Sequence, residues 1–212
     1  MSNLAILGAS GHGKVVADTA ECCGWQSIDF YDDAWPEFRS NGCWTLAGDT
    51  ASLCGRLQEY AGVLVAIGNN RIRHQKLLEL EAAGARLCTL VHPAAIVSRY
   101  AWVERGTVVF AGAVVNAGAR VGMGSILNTG CGVDHDCVLG AGVHISPGAH
   151  LAGGVKVGDL SWVGIGASVR QLVTLGESVV VGAGAAVTAD VAEALTVVGV
   201  PARPLIRRKA GQ

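Results

Sequence analysis

Residues 108–158 read VVFAGAVVNAGARVGMGSILNTGCGVDHDCVLGAGVHISPGAHLAGGVKVG, and the period inside them decides the fold. Stepping by six from Val97 meets Val103, Val109, Val115, Val121, Leu127, Val133, Leu139, Ile145, Leu151, Val157, Val163, Val169, Leu175, Val181 and Val187, sixteen aliphatic residues without a break. Two residues before each stands mostly a small side chain, as at Ala95, Ala113, Ala119, Cys131 and Cys137. Three residues after it stands glycine in ten of the sixteen hexads. A helix cannot keep a six-residue period on one face, and a plain strand repeats every two. Short strands separated by turns satisfy all three columns. The aliphatic residue points inward, the small one fits a tight corner, and glycine supplies a turn with φ > 0. With three hexads to a triangular coil, residues 92–190 are predicted to wind a parallel prism of a little over five coils. Its height is about 25 Å at ~4.8 Å per coil.

Outward from the repeat, the pattern changes. Residues 1–91 open with the aliphatic run Leu4–Leu7, which enters GASGHGK at 8–14 and then the helix-like VVADTAECCG. Strands fit Ser27–Tyr31, Val63–Ile67 and Leu87–Val91, with the helix-like RIRHQKLLELEAAG after Gly68-Asn69-Asn70. Alternating β and α segments with glycine after the strands predict a small parallel sheet of Rossmann-like type. His92-Pro93 marks the junction. After Asp190 the hexads fail at Glu193, and residues 191–212 read as a strand-like cap over the last coil followed by a basic tail. The fold class is therefore mixed: a small N-terminal Rossmann-like α/β domain, then a parallel β-helix of hexapeptide repeats, then the cap.

Composition removes several function classes. The 212 residues are 50% hydrophobic and 16% charged, with a formal net charge of −1. Such a chain offers no basic field to nucleic acid or anionic membrane. No apolar run approaches the ~18 residues of a membrane span, and the opening lacks a charged leader with an apolar core. Seven cysteines, an odd number with no CxxC, read as free thiols in a reducing compartment, hence a cytoplasmic protein.

Two segments carry candidate chemistry. Gly8-x4-Gly13-Lys14 nearly spells a nucleoside-triphosphate loop, but Val15 stands where a magnesium-binding hydroxyl belongs, and no G-x-G-x-x-G is present. Glycines before a helix start still suit a diphosphate; a tight turn without ligand is the other reading. His135 and Asp136 interrupt the repeat, and Asp136 occupies the column that holds Gly130 and Gly142 in the flanking hexads. A carboxylate beside a histidine holds its tautomer and stabilises the imidazolium formed when it takes a proton. A solvated polar corner is the bland alternative.

GASGHGK at 8–14, YDD at 31–33, IGNN at 67–70, HP at 92–93 and DHDCVLGAGVHISPGAHLAG at 134–153 together resemble the sialic acid O-acetyltransferase NeuD-like family. The nearest branch is the nucleotide-sugar N-acetyltransferases typified by PglD. The resemblance implies a left-handed coil, acetyl transfer from acetyl-CoA to an amino or hydroxyl group of a sugar, and a homotrimer with sites between adjacent prisms. It implies His135 as general base with Asp136, where the family often has Glu, as its orienting carboxylate. His144, Ile165, Gly166, Gly182, Ala183 and Gly184 take the acetyl-CoA positions. Ser10, Gly11, His12, Asp32, Asp33 and Gly68 take those of the nucleotide sugar, and Asn128 helps place the acceptor.

The leading expectation is N-acetylation of a UDP- or GDP-linked 4-amino sugar; the alternatives are O-acetylation of a sugar or sialic acid and a non-catalytic nucleotide-sugar-binding β-helix. A metal is not expected. His144 and His150, six apart, do not make the close histidine pair plus distant third of the zinc-dependent β-helix enzymes, and His150 alone reads as a surface residue. Cys131 and Cys137 sit in the small-residue column, facing the packed corner, which argues against an acyl-cysteine route. Trp25, Trp35 and Trp44 either pack the first domain or stack on its ligand.

Overall fold

A computed structural model describes residues 3–205, so the basic tail expected around 207–209 lies outside the described residues. The N-terminal unit runs β1 (Asn3–Leu7), α1 (Gly11–Cys22), β2 (Ser27–Tyr31), β3 (Ser40–Asn41), β4 (Trp44–Gly48), α2 (Thr50–Arg56), β5 (Gly62–Val65) and α3 (Asn70–Ala82). Its sheet has the order β3-β4-β2-β1-β5, parallel except for the β3–β4 hairpin. Alternation along β1 feeds two cores. Leu4 and Ile6 pack with Val16, Ala17 and Phe30, whereas Ala5 and Leu7 pack with Tyr31, Leu53 and Leu77 on the opposite face. Burial on both faces is why these strands read as unbroken apolar runs.

One element of this unit was not read from the sequence, and one expectation is corrected. The β3–β4 hairpin was not foreseen, because its strands are short and meet at Gly42-Cys43 without a long apolar run. The fourth strand, expected over Leu87–Val91, divides: Leu87 makes a single bridge to Val63, whereas Leu90–Val91 pair with Val108–Val109 and start the prism.

The prism follows the hexads closely. Each of the sixteen aliphatic positions is the second residue of a two-residue strand, from Ile96–Val97 to Ala186–Val187. Strands pair in parallel with those eighteen residues on, as Val115 with Val133, giving three sheets around a left-handed coil. The first face carries the strands at 96, 114, 132, 150, 168 and 186, and the second those at 102, 120, 138, 156 and 174. The third carries those at 90, 108, 126, 144, 162, 180 and 196. All ten glycines of the turn column have φ between 62° and 77°, and Asp136, Leu160, Leu172 and Ser178 take the same left-handed turn without being glycine. Inside, the aliphatic column and the small residues form one continuous core that includes Cys131 and Cys137. The hexads fail after Asp190 because the last coil is shortened: Leu175 bridges Val191 and Val181 pairs with Val197, sixteen residues on. Arg203–Pro204 then turn back antiparallel on Thr196–Val198 and cover the edge.

The two units share a core. Val108, Phe110 and Ile126 of the third face pack with Leu4, Ile6 and Val16. Arg73, on α3 and 1% exposed, donates to the carbonyls of Gly124 and Gly142 (2.8 Å each) on the edge between the second and third faces. It also donates to the carbonyls of Ile67 and Gly68 and to Asn70 Oδ1. Asn70 Nδ2 reaches the carbonyls of Leu160 and Ser161 on the same edge. Sequence reading missed this clamp; its signal was the helical stripe Asn70, Arg73, Leu77 and Leu80, which places an arginine in line with buried leucines.

Candidate active site

His135 and Asp136 stand on the edge between the first and second faces. The strand Gly132–Val133 ends there, and the chain turns through Asp136 at φ 58°. His135 Nδ1 and Asp136 Oδ2 are 2.8 Å apart. Asp134 Oδ1 accepts from the His135 backbone N–H (2.8 Å) and from Asn116 Nδ2 (2.8 Å) one coil below. Both side chains of the dyad are exposed, the imidazole by 64%. The hydrogen bond to Asp136, with the charge of Asp134 behind it, raises the His135 pKa. The ring is thus a strengthened base with a fixed tautomer, in contact with solvent.

A second constellation sits where the first domain meets the third face. Gly8 holds a left-handed turn (φ 112°) in which a side chain would strike the Ala66 carbonyl, and a side chain on Gly13 would meet Phe30. Those two glycines are explained by packing, whereas Gly11 faces open space. Ser10, the residue before α1, makes no side-chain cap, so the first-turn N–H groups stay available to an anion. His12, from the first turn, lies edge-on to Phe110 (5.7 Å between centroids) with Nε2 buried and unpartnered. Burial, reinforced by the positive charge of Arg73, lowers its pKa to about 4.

His144 belongs to the same region. Its Nε2 lies 3.1 Å from Asn128 Nδ2, its ring packs on Trp162 (4.5 Å), and its Nδ1 is buried without a partner. Burial, then Arg73 and His12, push its pKa down to about 3, so both imidazoles are neutral near pH 7. Trp162, which sequence reading passed over, holds His144 from the next coil and donates its indole N–H to Ser146 Oγ (2.7 Å).

The remaining sequence-predicted residues divide by place. Ile165 and Gly166 share the edge between the third and first faces with Gly182, Ala183 and Gly184 of the next coil, tied by Gly184 N–H to the Ile165 carbonyl (2.8 Å). Ile165 is 57% exposed. Asp32 closes the first glycine turn by accepting from the Ala9 N–H (2.7 Å) and from the Ala34 N–H (3.0 Å). Asp32 also borders a cavity of about 300 Å³ whose other walls include Phe38, Ser40 and Leu46. Asp33 turns away and accepts from the Thr50 N–H (2.9 Å) at the start of α2, and the side chain and backbone of Thr50 together lower its pKa. Gly68 follows β5, and its carbonyl is held by Arg73. Of the three tryptophans, Trp25 and Trp44 pack against the core of the first domain and Trp35 is 39% exposed.

The dyad and the Ile165–Gly184 edge therefore occupy opposite edges of the first face. A groove of about 490 Å³ crosses that face between Gly130 and Asp134. His150 lines it, away from His144 on the third face, and among the described residues no three His, Cys, Asp or Glu side chains converge as a metal site. Burial raises the Cys131 thiol to about 12 and raises Cys137 as well, which keeps both from thiolate chemistry near neutral pH.

Comparison with known proteins identifies relatives of the whole chain. The model of the PglD N-terminal domain matches residues 3–80. The acetyltransferase domain of PglB from Neisseria gonorrhoeae, solved in complex with acetyl coenzyme A, is 46% identical with a TM-score of 0.92 over 96% of this chain and 98% of that one. PerB from Caulobacter crescentus, solved with CoA and GDP-perosamine, is 35% identical with a TM-score of 0.92 over 97% and 98%. Bacillus subtilis UDP-N-acetylbacillosamine N-acetyltransferase is 38% identical over 113 residues, a match that spans about half of either chain (52% of each). With solved relatives aligned along almost its whole length, the chain belongs to the PglD-type family of hexapeptide-repeat acetyltransferases.

Proposed function

We propose that this chain transfers the acetyl group of acetyl-CoA to the amine of a nucleotide-linked amino sugar. The observation that carries the reading is the exposed His135–Asp136 dyad, a base with its tautomer fixed, on the edge of the first face next to Asp134, where the groove across that face ends. Residues 1–91 hold the nucleotide sugar, with the Ser10-Gly11-His12 turn on the diphosphate, Asp32 and Gly68 flanking the nucleotide, and Asn128 and His144 toward the sugar. Residues 92–190 perform the transfer, and residues from 191 close the coil. Ile165, Gly166 and Gly182–Gly184 line the path of acetyl-CoA. The acceptor nitrogen attacks the thioester carbon as His135 Nε2 removes its proton. The C–S bond breaks, and CoA leaves with a proton as the free thiol. Placement of the two substrates supplies much of the rate, and the base contributes roughly 10²–10⁴-fold.

The arrangement also supports a homotrimer. The glycine turn and His144 lie beside the third face, at the opposite side of the first face from the dyad, so a sugar held there is reached by His135 of a neighbouring copy. Ile96, Tyr100 and Trp102, each about two-thirds exposed on the first coil, offer apolar surface for that contact. No helix among the described residues is long and apolar enough to cross a membrane. Free cysteines and the need for acetyl-CoA and a nucleotide sugar together fit a cytoplasmic site of action.

The test is a mass-spectrometric acceptor panel of UDP- and GDP-linked amino and hydroxy sugars with acetyl-CoA. One acetyl increment on the amine, with an equivalent of thiol released, is the expected result. An alkali-labile ester would assign O-acetylation instead, and binding without thiol release would leave a nucleotide-sugar sensor.

A further inference from the structure

Gly153 and Gly154 are adjacent, and only one of them is a glycine for the sake of the backbone. Gly154 holds the left-handed turn of its corner at φ 70°. Gly153 does not take a left-handed φ, so its conformation admits any residue. What excludes a side chain is the imidazole one coil below. A Cβ on Gly153 would lie 2.5 Å from His135 Cε1 and closer still to Nε2. The backbone here cannot slide away, because Gly154 N–H donates to the His135 carbonyl (2.9 Å) and the Gly153 carbonyl accepts from Leu172 N–H (3.0 Å). On the other side of the dyad, a Cβ on Gly118 would press on Asp136 Oδ1.

We propose that Gly153 is a positioning residue: its bare Cα is the seat on which the His135 imidazole lies, keeping Nδ1 on Asp136 and leaving Nε2 uncovered. The inference rests on the reading of His135 as the base and adds the device that fixes its rotamer. Asp136 alone holds one ring nitrogen and leaves the ring free to swing about that bond. Contact with the coil above removes that freedom. A methyl group at 153 either covers Nε2 or turns the ring off Asp136. The obstacle is a side chain and not backbone, so the ring yields and the fold does not.

The test is Gly153→Ala in the full chain, read by NMR titration of the His135 ring, by steady-state kinetics and by thermal unfolding. The expected result is a His135 pKa that falls back toward that of an ordinary histidine and a kcat lower by roughly 10²-fold. The acetyl-CoA KM and the unfolding midpoint should not change. In a His135→Ala background the same substitution should cost nothing more. An unchanged titration and unchanged kcat in an active wild type overturns the seat, as does an equal further loss without the imidazole. If the wild type transfers no acetyl group, the functional reading fails and the titration alone decides the seat.

Discussion

His135 Nδ1 lies 2.8 Å from Asp136 Oδ2, and Asp136 makes that contact from a left-handed turn (φ 58°) that glycine fills in the hexads on either side. The turn aims the carboxylate back along the chain at its own neighbour, a geometry unavailable to an extended pair. Asp136 is therefore what raises the His135 pKa first, ahead of Asp134.

The base works unprotonated, so activity should climb as pH rises through the raised pKa. Asp136→Asn removes the larger cause, and the acid limb of the kcat profile should move to lower pH. The plateau should also fall, by less than the roughly 10²–10⁴-fold expected for His135→Ala. A pH–rate series on both variants checks this; an acid limb that stays in place for Asp136→Asn would refute the dyad.

Acid should loosen the seam between the two units. His12 and His144 are neutral when folded, with pKa values near 4 and 3, against about 6.5 unfolded. The unfolded chain binds more protons below pH 6.5, so stability falls with falling pH across the window from 6.5 toward 4 and 3. Each histidine should cost about 2 kcal/mol at pH 5. Thermal melts at pH 7 and 5 measure the loss, and the double variant His12→Asn/His144→Asn should flatten the difference.

Arg73→Met should be among the most destabilising single changes. It leaves the Gly124 and Gly142 carbonyls buried without their donor and frees Asn70 Oδ1. The cost should be about 3–5 kcal/mol, with hydrogen exchange rising first along α3. Arg73→Lys should rescue only part of it, since one ammonium cannot span five acceptors.

Asp32→Ala should act on one substrate alone. Without the carboxylate, the Ala9 and Ala34 amides lose their acceptor and the glycine turn loosens. The KM for the nucleotide sugar should rise roughly tenfold or more, as expected for two lost charge-assisted bonds, while the KM for acetyl-CoA stays put. Initial-rate kinetics with each substrate varied in turn check this, and a common effect on both KM values would contradict the assignment.

Neither buried thiol should matter to turnover. Cys131→Ala and Cys137→Ala remove groups that burial holds protonated, and both should keep acetyl transfer within a few-fold of the parent. No acetyl adduct should appear on either cysteine by intact-protein mass spectrometry after acetyl-CoA is added alone.

What was legible in the sequence follows the range of the forces that wrote it. The prism could be read at each of its sixteen hexad strands, because each hexad repeats the same local demand for an inward aliphatic, a small corner and a permissive turn. The dyad was legible for the same reason, as polar residues in an otherwise regular array. The hairpin Ser40–Gly48 was not, because one strand has two residues and the other, Trp44–Gly48, occurs once, with no repeat to mark it. Nor was the division at Leu87–Val91, where one apolar run serves two sheets.

The amino-acid sequence by itself determined the winding, the pairing of His135 with Asp136 as a break in the repeat, and the glycine turn that opens the first domain. Only the tertiary structure decided that Arg73 and Asn70 bolt α3 to the edge of the prism, and that His12 and His144 share one buried seam. It alone placed the dyad across a face from the Ile165–Gly184 edge. Those relations join residues many hexads apart, through the eighteen-residue stacking of coils and the docking of a separate domain. No period along the chain records which edge another element will cover.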